Sequence, residues 1–125
     1  MTSIGRLGAI SLDTDDPEAL ADFYHHLLGY DVIFASENFI ALKGQGSGIS
    51  VQRVKDYVAP DWPNNTVPKQ FHLDIAVKDL EEAQRAALAI GATKGSTQPN
   101  PDTWRVLLDP SGHPFCITTM IPDDY

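Results

Sequence analysis

Apolar residues along this chain switch from a spacing of two to a spacing of three and four and back again, and they do so twice. Residues 7–13 alternate as a half-buried strand does. Asp16-Pro17 then supplies a helix start, an aspartate cap followed by proline at a position whose N–H has no helical partner. Leu20, Phe23, Tyr24, Leu27 and Leu28 follow on one helical face, and Gly29 stops the helix. Three short strands are predicted after it, at about 31–35, 39–43 and 48–54.

The second half repeats this order. Residues 71–77 alternate cleanly, and Asp79 with Glu82 reads as a capping box in which each side chain satisfies the other's free N–H. Leu80, Ala83, Ala87 and Ile90 form the apolar face of a second helix, which Gly91 ends. Strands near 92–96, 103–109 and 115–120 complete the half. Ala9 falls on His72, Ile10 on Leu73, Leu12 on Ile75 and Asp16 on Asp79, and the helices match up to a one-residue gap before Gly91. Two copies do not make a solenoid, which needs three or more to bury a core. The predicted fold is therefore α+β: two βαβββ modules forming an open, cavity-bearing barrel in a single domain, 1–125. Module one covers about 4–54, a linker rich in proline and asparagine 55–69, and module two about 70–120.

Strand alternation decides which side chains face the expected cavity. Leu73, Ile75 and Val77 are the large apolar set and belong against the second helix, which turns His72, Asp74 and Ala76 the other way. Ile10 and Leu12 likewise leave Ala9 and Ser11 on the cavity side. Phe115 and Ile117 read as core, so Cys116 and Thr118 face inward. Ser50, Gln52 and Val54 share a face opposite Ile49, Val51 and Arg53, with apolar residues on both sides. Imidazole and carboxylate taken out of water need partners or a ligand. His72 and Asp74 either bond to their neighbours and stabilise the barrel, or serve as polar fixtures of a mostly apolar pocket.

Trp62, Trp104, Arg53 and Arg105 are candidate wall or rim residues, since an aromatic ring and a guanidinium suit a flat or anionic ligand. Their facing does not follow from the sequence. Cys116 with His72 would make a thiolate–imidazolium pair for nucleophilic chemistry, against the plainer reading of a small buried apolar thiol. His25 and His26 flank the core face of the first helix and read as solvated surface. The run from Gly44 to Gly48 lacks the lysine and following helix of a phosphate loop and reads as a hairpin turn.

The bulk numbers narrow the function classes. A chain of 125 residues with 42% hydrophobic content suits one folded domain without disulfides. A lone cysteine cannot form an internal bridge and suits a reducing cytoplasm, the expected location. The net charge of −8 with no basic cluster argues against a nucleic-acid partner. No apolar stretch approaches the roughly 20 residues that cross a bilayer, and residues 1–6 hold no signal-peptide core, so no membrane partner is expected.

Several motifs in order resemble the glyoxalase/bleomycin-resistance/dioxygenase family, the vicinal oxygen chelate superfamily. In the first half they are Asp16-Pro17, Leu20-Ala21-Asp22-Phe23-Tyr24 and Leu28-Gly29. In the second they are the run from His72 to Leu80, Ile90-Gly91-Ala92, and the closing run from Asp109 to Cys116. The Trp62-Pro63 linker, His72-Leu73-Asp74 and the run from Gly112 to Cys116 are similar to a glyoxalase-like subgroup. The resemblance implies a homodimer, and in metal-using members it implies four inward ligands, falling here at Ala9, Gln52, His72 and Cys116. Ala9 supplies no donor and Gln52 only a neutral oxygen, so neither a metal nor another cofactor is expected. The expected function is metal-independent binding of a small organic molecule, with Gln52, Cys116, Trp62, Trp104, Arg53 and Arg105 as contacts. The alternatives are a lyase, isomerase or hydrolase using His72 as acid/base steered by Asp74, or a metal-dependent member with an unusual ligand set.

Overall fold

Two capped helices anchor the two halves of the chain, and each is followed by three strands. A computed structural model describes residues 3–122. The first half contains β1 (Ala9–Thr14), α1 (Pro17–Leu28), β2 (Asp31–Ala35), β3 (Phe39–Lys43) and β4 (Gly48–Arg53). The second contains β5 (Leu73–Ala76), α2 (Leu80–Ala89), β6 (Thr93–Lys94), β7 (Trp104–Leu108) and β8 (Pro114–Thr118). The strands form two separate four-stranded sheets, in the orders β1-β4-β3-β2 and β5-β8-β7-β6. In each, the first strand pairs parallel with the last and the other pairings are antiparallel. The fold is α+β, built from two βαβββ modules as the repeat predicts. The chain divides into two compact units, one ending at Tyr57 and the other beginning at Val58.

In the first unit, Asp16 Oδ1 accepts the N–H of Ala19 at 3.1 Å, and Thr14 Oγ1 accepts that of Asp16 at 2.9 Å. Gly29 closes the helix at φ 70°, where a side chain would be strained, and its N–H reaches His25 O at 2.9 Å. Leu20, Ala21, Phe23 and Tyr24 are buried in a core with Leu12, Ile40, Leu42, Ile49 and Val51. His25 and His26 are exposed and bonded to backbone, Nδ1 of His25 to Tyr30 O and Nδ1 of His26 to Asp22 O. Residues 44–47 form the β3–β4 hairpin turn, as expected. The Tyr30 hydroxyl lies 2.6 Å from Gln45 O and 3.0 Å from Ser47 O in that turn.

In the second unit, Asp79 Oδ1 accepts the N–H of Glu82 at 2.9 Å. The capping box is only half made, because the Glu82 side chain stays exposed and gives no return bond among the described residues. Phe115, Ile117 and Leu107 are fully buried on the face that α2 covers. Leu73 and Ile75 share that face but are half-buried, since β5 is an edge strand and α2 packs chiefly over β7 and β8.

Two strands are shorter than their alternation suggests. β5 starts at Leu73, leaving Phe71 58% exposed and His72 just outside the strand. In register the residue opposite His72 would be Pro114, which has no N–H for the ladder. β6 spans two residues because a side chain replaces the rest of it. Gln98 Oε1 accepts the N–H of Val106 at 2.9 Å, while its Nε2 donates to Val106 O at 2.8 Å and to Gly95 O at 2.9 Å. One amide thus stands in for a peptide unit along β7.

Candidate functional site

Register places a set of chemically capable side chains on the face of the second sheet that α2 leaves open. Asp74, Cys116 and Val106 are cross-strand partners in one row, and Ala76, Thr118 and Trp104 form the next. Residues in one row point to the same side, and successive rows on that side are two residues apart. His72, two residues before Asp74, belongs to this face as well. The linker brings Trp62 and Lys69 over it, held by Asp61, which accepts the Val67 N–H on Oδ1 at 2.9 Å and donates its own N–H to Val67 O at 3.0 Å. Pro99, next to the Gln98 anchor, completes the wall.

These groups line a cleft of about 420 Å³, a volume within the range of small-molecule sites. His72 and Asp74 are half-open to solvent, with side chains 35% and 53% exposed, so within this unit they line an open cleft rather than an enclosed hollow. His72 Nε2 lies 3.1 Å from Asp74 Oδ1, and Lys69 Nζ lies 3.5 Å from His72 Nδ1. A lysine ammonium can only donate, so neutral His72 is assigned its proton on Nε2, which then donates to Asp74. Lys69 Nζ also sits 5.0 Å from the centre of the Trp62 ring, a cation–π distance. Cys116 is half-buried, and burial pushes its thiol above the ordinary value. The Asp74 charge and the hydrogen bond to Asp74 push the same way, while Lys69 opposes them. Cys116 is thus a neutral thiol at pH 7, which does not favour the thiolate–imidazolium pair. Thr118 faces the cleft with its hydroxyl already used, donating to Thr103 O at 3.3 Å and accepting the Met120 N–H at 3.1 Å.

His72, Asp74, Cys116, Trp62 and Trp104 therefore come together within the second unit, where Arg105 does not join them. Arg105 alternates with Trp104 and Val106 and so faces α2, where it donates to Glu81 Oε1 at 2.8 Å and to Gln84 Oε1 at 3.2 Å. Its guanidinium holds the Glu81 carboxyl below the ordinary value. Arg53 and Gln52 belong to the first unit and line a cleft of that unit with Asp15, Asn38, Val54 and Lys55. Arg53 spends its donors on the carbonyls of Asp15 and Glu37. Lys69 and Pro99 are cleft residues that strand alternation does not reveal, because both lie in loops. The closing run is structural in part: buried Asp109 accepts the N–H groups of Ser111 and His113 on Oδ1, at 2.9 and 3.0 Å.

A family profile described as glyoxalase-like domain matches residues 9–118. The chain belongs to that family. A search of curated proteins gives no significant match. Among solved structures, it is similar to a glyoxalase/bleomycin resistance protein/dioxygenase family enzyme from Burkholderia phytofirmans. The two share 22% identity over 90% of this chain and 97% of that one, with a TM-score of 0.68. It is also similar to the fosfomycin resistance protein FosX from Listeria monocytogenes, solved with Mn(II) and a dihydroxypropylphosphonic acid. There the identity is 13% over 94% and 91% of the chains and the TM-score 0.70. A bleomycin resistance determinant encoded on transposon Tn5 aligns at 17% identity over 91% and 97%, with a TM-score of 0.59. At these identities the likeness establishes the fold and carries no ligand with it.

The four-ligand set implied by the family resemblance does not fit this chain, because Ala9, exposed on β1, has no donor atom. Among the described residues, His72, Asp74 and Cys116 form a group of three whose donor atoms lie within 4.8 Å of one another.

Proposed function

We propose that this glyoxalase-like protein binds a small organic molecule in the second-unit cleft through its own side chains, without a metal. The observation that carries this reading is the convergence of two indoles, one ammonium and the His72–Asp74 pair on one cleft of ligand-sized volume. Trp62, Trp104 and Pro99 offer flat apolar walls, and Lys69 is the cation among its lining residues. That combination suits a planar ring carrying an anionic group. Both tryptophans of the chain line this cleft, so intrinsic fluorescence reports on it directly. A thermal-shift screen of aromatic and heteroaromatic carboxylates in the presence of chelator tests the reading, since a ligand raises the melting temperature by mass action. A true ligand also changes the tryptophan emission with the same concentration dependence. Hits whose stabilisation survives Trp104→Ala and Lys69→Ala unchanged would sink it.

The 3.1 Å contact between His72 Nε2 and Asp74 Oδ1 favours a second reading, an enzyme in which His72 is the acid/base and Asp74 its orienting partner. A His72→Gln variant that binds a screened ligand normally but forms no product marks that outcome. We further read the chain as cytoplasmic, from its lone cysteine, and as a homodimer, from the family resemblance. Light scattering on the eluting protein measures the latter, and a monomer at working concentration would refute it.

A further inference from the structure

We infer that the outer edge of the first sheet is a docking site for an extended basic strand of a partner protein. β2 ends the order β1-β4-β3-β2, and among the described residues no strand pairs with its outer side. Such a row of N–H and C=O groups accepts a further strand unless it is blocked, most often by lysine or proline. The segment Val32-Ile33-Phe34-Ala35 holds neither, and Val32, Ile33 and Phe34 are 49%, 62% and 56% exposed. The bulge at Ile33 sets which way they point. Val32 lies opposite Leu42 and Ala35 opposite Ile40, both partners buried under α1, whereas Phe34 lies opposite Ala41 on the other face. Val32 and Ala35, three apart in sequence, therefore both look toward the helix.

α1 packs over β3 and β4 and only grazes β2, which leaves a groove of about 390 Å³ between the helix and the edge strand. Its floor is Ala21, Val32, Ala35 and Ile40, and Glu18 and Asp22, one helical turn apart, stand exposed along its helix wall. An apolar floor beside two carboxylates fits a lysine or arginine side chain, whose stem covers aliphatic surface while its cation stays at the rim. No lysine or arginine of this chain lines the groove, and the remaining lining residue, His25, has its Nδ1 engaged with Tyr30 O. Asp31, at the end of the strand, lies opposite Lys43 in register and is not part of the recognition. Charge therefore selects the occupant. A second copy, also at −8, would bring the same carboxylates to the edge. A strand of alternating basic and apolar residues instead sets its cations into the groove and its apolar side chains beside Phe34 on the opposite face. β2 is five residues long, so a partner segment of about five to seven residues pairs with it. The site lies within the first unit and does not rest on the ligand reading of the second.

The probe is a fluorescein-labelled, end-capped peptide of alternating arginine and valine, about seven residues long, titrated into the full chain and read by anisotropy. Expected is saturable binding, with amide hydrogen exchange slowed at 31–35. Two control peptides carry N-methyl groups on one or the other alternate set of residues. Methylation of the set whose N–H groups meet β2 abolishes binding and methylation of the other set leaves it, a split that charge attraction alone cannot produce. Val32→Lys blocks the edge and weakens the complex by at least about thirtyfold. Glu18→Gln with Asp22→Asn weakens it by about tenfold. Glu82→Gln with Asp102→Asn, which takes the same charge from the second unit, leaves the affinity unchanged. The inference is overturned by the lack of saturable binding, by equal binding of a glutamate–valine peptide, by both methylated peptides behaving alike, or by exchange that slows only outside 31–35. A chain already dimeric through this edge, and monomeric in Val32→Lys, would also overturn it and assign the edge to a second copy. The methylated pair is read on the unmutated chain, so it decides the matter even where a variant folds poorly.

Discussion

Gln98 illustrates how much one side chain can settle. Its amide makes three hydrogen bonds along β7, to the N–H and carbonyl of Val106 and to the carbonyl of Gly95. Gln98→Ala leaves the Val106 N–H without its acceptor and removes a bond to each of two carbonyls, though Val106 O keeps the Gly95 N–H, and this costs about 1–3 kcal/mol. A lowered urea midpoint with unchanged slope is the measurement that checks it, and an unshifted midpoint would contradict it. Cys116 gives a second prediction. Because burial and Asp74 both hold its proton on, iodoacetamide reacts slowly with the metal-free protein at neutral pH and faster only in alkali. Asp74→Asn removes the charge but not the burial, so alkylation speeds up by no more than about tenfold and stays below that of a free thiol. Alkylation that slows in this variant would reverse the assigned sign.

At the level of elements, the helix-to-strand ties carry the testable content. Arg105 on β7 reaches Glu81 in the first turn of α2 and keeps its carboxyl below the ordinary value of 4.5. A carboxyl held low in the folded state stabilises the protein above its unfolded pKa, and that contribution disappears as pH falls through the folded value. Glu81→Gln therefore lowers stability slightly at neutral pH, where the exposed pair is weak, and the difference from the unmutated chain shrinks at an acid pH as the folded Glu81 takes up its proton. Paired denaturant curves at the two pH values check the sign. In the first unit, a Cβ at Gly44 would lie 2.2 Å from Tyr30 Cδ1, inside the ring that braces the β3–β4 turn. Gly44→Ala must displace Tyr30 from its bonds to Gln45 and Ser47, a loss of about 1–3 kcal/mol. Chemical denaturation reads that loss.

For the whole molecule, each unit alone is below the size at which an isolated core is comfortably stable. We expect the chain to behave as one domain, with a single calorimetric transition whose measured and van't Hoff enthalpies agree. A cleft ligand then raises that whole transition, whereas two peaks of which one moves would mean separate domains. Among the described residues no helix is long and apolar enough to cross a membrane.

The sequence by itself determined the elements and the repeat. Caps at Asp16 and Asp79, apolar faces at helical spacing and strict alternation at 71–77 are local rules, so both helices and the open-face position of His72, Asp74 and Cys116 were legible in the chain alone. Local rules also have local failures. Pro114, lacking an N–H, shortened β5 from across the sheet, and Gln98 replaced half of β6 by side-chain bonds that no periodicity encodes. Only tertiary structure decided which long side chains meet. Arg105 went to α2 because its neighbours in β7 turned the other way, and Lys69 and Trp62 joined the cleft because a loop anchored at Asp61 laid them there. Loop side chains have no period to follow, so their destination is set by packing and not by spacing along the chain.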